Sequence, residues 1–121
     1  MNFGHTIGHA LESFSLEHSS VPLSHGHAIA FGIIAESYLS WKNGLINKNQ
    51  LYNIKQIINK HFTKPNISST DYNTIFNFIH FDKKRNKNLF NFTLISDIGN
   101  AIIDQQIDEQ QIFSAINFCL D

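Results

Sequence analysis

The chain has 121 residues, 42% of them hydrophobic, which suits one domain with a buried core and excludes a disordered segment. A formal net charge of −1, with only 16% charged residues, excludes a chain-wide basic field for nucleic acid. The single cysteine, Cys119, rules out an internal disulfide and a cysteine-based zinc framework; in its apolar stretch it reads as a small buried hydrophobe. No apolar run approaches the ~20 residues of a membrane span. Residues 1–20 carry histidines and glutamates where a secretory signal needs an apolar region, so no membrane partner and a cytoplasmic location are expected.

In chain order, Ile7, Ala10, Leu11 and Phe14 recur at helical spacing and predict a short helix over about 4–16. Ser19-Ser20-Val21-Pro22 breaks it. The strongest helix is predicted over about 25–42, where Ala28, Ile29, Phe31, Ile33, Ile34, Ala35, Tyr38 and Leu39 leave few polar positions. Gly32 within it costs about 1 kcal/mol relative to Ala, which suggests close packing or near backbone approach. Asn43-Gly44 closes this helix through a left-handed residue.

An amphipathic helix follows over about 47–61, with Leu51, Ile54, Ile57, Ile58 and Phe62 on one face. Ser69, Thr70 or Asp71 can cap a further helix carrying Ile75, Phe76, Phe78 and Ile79. Residues 82–88 are a polar loop. Phe90, Phe92 and Leu94 alternate with Asn91 and Thr93 as a strand. Residues 97–100 turn, and Ala101-Ile102-Ile103 returns as a possible partner strand. Asp108 can cap a last helix with Ile112, Phe113, Ile116 and Leu120. The expected class is mainly α, with at most one small β-hairpin.

Chemistry concentrates at the N-terminus. His5 and His9 lie one helical turn apart on one face. His25 and His27 open the long helix. Histidine is the commonest metal ligand, and catalytic zinc keeps one position for water or substrate. The positive end of the long helix keeps His25 neutral and available as a ligand. Gly4, Gly8 and Gly26 flank the histidines and let substrate or backbone come close. His18, His61 and His80 lack such surroundings and read as structural or exposed. Lys83, Lys84, Arg85 and Lys87 form a short basic patch without interleaved aromatics, which reads as a solvated or phosphate-contact loop and not a nucleic-acid surface.

The segment Asn2-Phe3-Gly4-His5-Thr6-Ile7-Gly8-His9-Ala10-Leu11-Glu12 resembles a signature of the 3-dehydroquinate synthase family. Ser24 to Gly32 resemble its second signature, and Asp82-Lys83-Lys84 with Ile98-Gly99 resemble its third. The resemblance implies a helical C-terminal domain of a lyase in the shikimate pathway of aromatic amino-acid biosynthesis. It implies zinc or another divalent metal such as Co2+, with NAD as cofactor and a phosphorylated seven-carbon keto sugar acid as small-molecule substrate. His5 and His25 then fall at metal-ligand positions. His9 falls at a position lining the substrate phosphate, Asn2 at a substrate contact, and one of Lys83 and Lys84 at a position reaching into the site. His27 falls where relatives carry Glu or His and is expected to support the ligands.

Departures accompany the match. The family enzyme is much longer; its NAD-binding half and the glutamate that completes its zinc site have no counterpart in these residues. After Asp82-Lys83-Lys84, Lys87 and Leu89 stand where relatives carry a glycine and a basic residue. The chain is therefore expected to be a partial C-terminal metal- and substrate-binding domain, inactive alone, of an enzyme that forms homodimers when complete. Two other readings stand beside this one: a metal-dependent polyol or alcohol dehydrogenase of the same superfamily, and a self-contained helical metal-binding or interaction module.

Overall fold

The computed structural model describes residues 3–79, 89–96 and 101–121. Among the described residues, five helices, one 3-10 turn and two strands follow in the order α1 (His5–His18), α2 (His25–Lys42), α3 (Lys48–His61), the turn Ser69–Asp71, α4 (Tyr72–Asn77), β1 (Leu89–Ser96), β2 (Ala101–Asp108) and α5 (Glu109–Leu120). The mainly helical class expected from the sequence is the class observed, with one two-stranded sheet among the described residues.

Helix α2 is the axis of the molecule and packs against α1, α3, α5 and β1. Ala28, Phe31, Ile34, Ala35 and Leu39 are fully buried along it. Ser24 caps its start by accepting from the His27 N–H at 3.1 Å. Its end is closed by Gly44 at φ +78, in the left-handed region where glycine is not strained.

The strands pair antiparallel, with Phe90 opposite Ile107 and Phe92 opposite Gln105. Phe90, Phe92, Leu94 and Ile107 face the core, and Asn91, Asp104 and Gln106 face water. β2 is longer than the expected Ala101–Ile103 because its polar residues belong to the solvated face of the ribbon. The Ser40 hydroxyl fastens the sheet to α2: it donates to the Glu36 carbonyl at 3.0 Å and accepts from the Ile95 N–H at 3.3 Å. Asp108 caps α5, its carboxylate accepting from the Gln111 N–H at 2.8 Å.

Two helix ends differ from expectation. α1 runs two residues past its expected end, to His18, and its last turn stacks His18 on Phe14. α3 is the amphipathic helix expected, lying at the periphery: it buries Leu51 and half-buries Ile54, Ile58 and Phe62, while Ile57 is 59% exposed. α4 stops at Asn77, and Phe78 and Ile79 follow in a tighter turn whose N–H groups reach the carbonyls of Ile75 and Phe76 at 3.0 Å. Cys119 is fully buried as expected, and burial pushes its thiol far above the ordinary range, which leaves it inert. No helix among the described residues is long and apolar enough to cross a membrane.

Candidate metal centre

The site forms where the N-termini of α1 and α2 meet. Contact between these helices is made through glycine. A Cβ on Gly32 would collide with the Gly4 carbonyl oxygen and with the Gly8 backbone. Gly4 and Gly8 in turn press against Ile33, Ile29 and Ala28. The backbone approach anticipated at Gly32 is thus present, and it sets how far the histidines of α1 stand from that of α2.

Glu36 locks this contact. Its side chain is fully buried. Oε1 accepts from the Gly4 N–H at 2.7 Å and Oε2 from the Ile7 N–H at 2.8 Å. Gly4, at φ +82, begins α1 without any side-chain cap of its own. The carboxyl group of Glu36, reaching over from α2, therefore accepts from donors that the first turn of α1 leaves open. Burial pushes the Glu36 carboxyl up to about 8, against the downward pull of the Ile7, Gly4 and Thr6 N–H groups. Nothing in the sequence marked this residue except its charge within an otherwise apolar helix.

His5, His9 and His25 converge on the rim of that contact. One ligand nitrogen from each lies within 4.8 Å of the others. Ring centroids are 5.2 Å apart for His5 and His9, 6.2 Å for His5 and His25, and 5.8 Å for His9 and His25. Two ligands of a tetrahedral ion with bonds of about 2.0–2.1 Å stand about 3.4 Å apart, so the three nitrogens are near one another but not yet at ligand spacing. His5 is half-buried, while His9 and His25 are exposed.

Hydrogen bonds bias two of the rings toward one tautomer. His5 Nδ1 lies 3.2 Å from the Phe3 carbonyl, and His25 Nδ1 lies 3.0 Å from Glu12 Oε1. Both partners only accept, so on a neutral ring Nδ1 carries the hydrogen and Nε2 presents its lone pair. The His9 ring makes no hydrogen bond among the described residues. The loop that delivers His25 is pinned by Ser15, a buried residue whose hydroxyl accepts from the Leu23 N–H at 2.7 Å. Imidazole nitrogens suit zinc or cobalt better than magnesium or calcium, which prefer oxygen.

The other anticipated residues divide. His27 does not support this cluster: its Nε2 bonds to the Thr63 carbonyl at 2.6 Å, and its ring packs on Phe31 and Phe62. It braces α2 against the end of α3. Gly26 has nothing within 4 Å of the place a Cβ would occupy, so no backbone approaches it. His18 and His61 are exposed. Asn2, His80, Lys83 and Lys84, with the turn at 97–100, lie outside the described residues. Glu12, unremarked in the sequence, shares a helix face with His5 and His9; its spacing of three from His9 was the available signal.

Comparison with known proteins gives a consistent picture. The family described as "3-dehydroquinate synthase C-terminal" matches residues 1–85. The 3-dehydroquinate synthase of Parabacteroides distasonis is 36% identical over 118 residues, covering 98% of this chain and 33% of its own length. That of Picrophilus torridus is 35% identical over 113 residues, covering 93% of this chain and 32% of its own. Among solved structures, a 2-deoxy-scyllo-inosose synthase complexed with carbaglucose-6-phosphate, NAD+ and Co2+ superposes with a TM-score of 0.74 at 26% identity, over 95% of this chain and 33% of that one. The chain thus spans about a third of the length of the relatives it matches.

Proposed function

The chain belongs to the 3-dehydroquinate synthase family, and from that premise we propose that it is the metal- and phosphate-binding part of an enzyme making 3-dehydroquinate. The observation that carries the reading is the convergence of His5, His9 and His25 from two helices. In this proposal His5 and His25 hold a divalent cation, zinc or cobalt. The bound cation supplies Lewis acidity toward a substrate hydroxyl.

The chain's own residues do the rest of what falls to them. His9, exposed and without a hydrogen bond, turns toward the substrate phosphate. Asn2 and one of Lys83 and Lys84 add polar and cationic contacts to the same substrate. The N-termini of α1 and α2 favour negative charge nearby, such as that of a phosphate. The substrate is a seven-carbon keto sugar acid phosphate that loses phosphate and closes to a ring. Hydride is taken up and returned by NAD bound elsewhere in the complete enzyme, which is a cytoplasmic homodimer of the shikimate pathway. Identity of 36% to a 3-dehydroquinate synthase, against 26% to the 2-deoxy-scyllo-inosose synthase, favours this substrate over a hexose phosphate.

A chimera tests the reading. These residues replace the matching third of the Parabacteroides distasonis synthase, and phosphate release is assayed with catalytic NAD+. The expected result is phosphate release without accumulation of NADH, while the 121 residues alone give no turnover. Stoichiometric NADH from a simple polyol would instead support the dehydrogenase reading. Turnover by the isolated chain would contradict the assignment of these residues as a part.

A further inference from the structure

Glu12 carries an inference that rests on the metal-site reading. It lies one turn beyond His9 on the same face of α1, and its carboxylate reaches across to α2, 3.0 Å from His25 Nδ1. The His25 side chain is 58% exposed and that of Glu12 is 25% exposed. Close packing therefore does not grip the His25 ring. Imidazole in water favours hydrogen on Nε2, which would put the lone pair on the nitrogen facing Glu12. A carboxylate at that nitrogen reverses the preference, because it can only accept.

We propose that Glu12 is a positioning residue: it holds His25 in the Nδ1–H tautomer, leaves Nε2 as the ligating nitrogen, and thereby sets the affinity of the histidine cluster for a divalent cation. His5 receives the same service from a backbone carbonyl, that of Phe3. A main-chain acceptor cannot be removed by substitution, whereas Glu12 can. The two helices are joined at their polar rim by this one side chain and at their apolar contact by Gly32 and Glu36.

The test uses the 121-residue chain, Co2+ alone as probe, and nitrogen NMR of the histidine rings at about pH 8, where an ordinary imidazole is neutral. In the metal-free wild type His25 is expected as the Nδ1–H form. Glu12→Gln, which keeps an acceptor, preserves that form; Glu12→Ala returns the ring toward Nε2–H. The Co2+ dissociation constant rises about 10–100-fold in Glu12→Ala and less in Glu12→Gln. Glu17→Ala removes an exposed carboxylate from the same helix and leaves both readouts unchanged. An unchanged His25 tautomer in Glu12→Ala overturns the proposal, as does a Glu17→Ala variant that weakens Co2+ equally. A wild-type chain that takes up no Co2+ overturns the metal reading and the affinity claim with it, while the tautomer measured without metal still decides whether Glu12 orients the ring.

Discussion

Gly32→Ala is expected to destabilise the protein by about 3 kcal/mol or more, at the upper end of overpacking substitutions. Gly26→Ala, earlier on the same helix, is expected to be neutral or to stabilise by up to about 1 kcal/mol. Both changes add one methyl group to α2, and both gain helix propensity. Only at residue 32 does the methyl meet backbone, the Gly4 carbonyl and the Gly8 amide and Cα, which cannot rotate aside. Relief requires α1 to move off α2, which also separates His5 and His9 from His25. Urea denaturation of the two variants measures the difference. Equal stability would mean that the helices do not approach as closely as described.

Glu36→Ala is expected to cost about 3–5 kcal/mol, since it leaves two buried N–H groups without acceptors and opens a cavity beside them. Below about pH 4.5, where the wild-type carboxyl is protonated in both states, Glu36→Gln keeps the volume and one acceptor and costs about 1–3 kcal/mol. The pH dependence follows from the raised folded-state value. Between the ordinary 4.5 and about 8 the native carboxyl holds a proton that the unfolded chain has lost. This contribution to stability is complete below about pH 4.5 and is lost as pH rises through about 8. The difference in unfolding free energy between wild type and Glu36→Gln should fall across that window, by at most about 1.4 kcal/mol per pH unit. A difference that stays flat, or rises with pH, would show that Glu36 is ionised throughout and acts as a charged cap.

The helices were legible because their apolar spacing is unambiguous: α2 begins and ends where its periodicity and the Asn43-Gly44 pair place it. β2 was only partly legible, because the polar run Asp104-Gln105-Gln106 carries no apolar alternation to extend the strand past Ile103. The pairing of His5 with His9 followed from helical spacing alone. Their meeting with His25 did not, because it depends on the crossing of α1 and α2, and that crossing is set by glycines whose contacts no spacing rule predicts. Glu36 was invisible for the same reason: its partners lie 32 and 29 residues away. His27 looked like part of the histidine constellation because it adjoins His25, yet a step of two residues on a helix turns it toward Thr63 and the aromatic rings of Phe31 and Phe62.

Titration of the purified chain with Co2+, followed by visible absorption, addresses the shared ion most directly. Saturation at one ion per chain is expected, with His5→Ala and His25→Ala each abolishing saturable binding while the far-ultraviolet spectrum of the helices is retained. Wild-type protein that never saturates, or variants at both positions that titrate like the wild type, would contradict a cation held between α1 and α2.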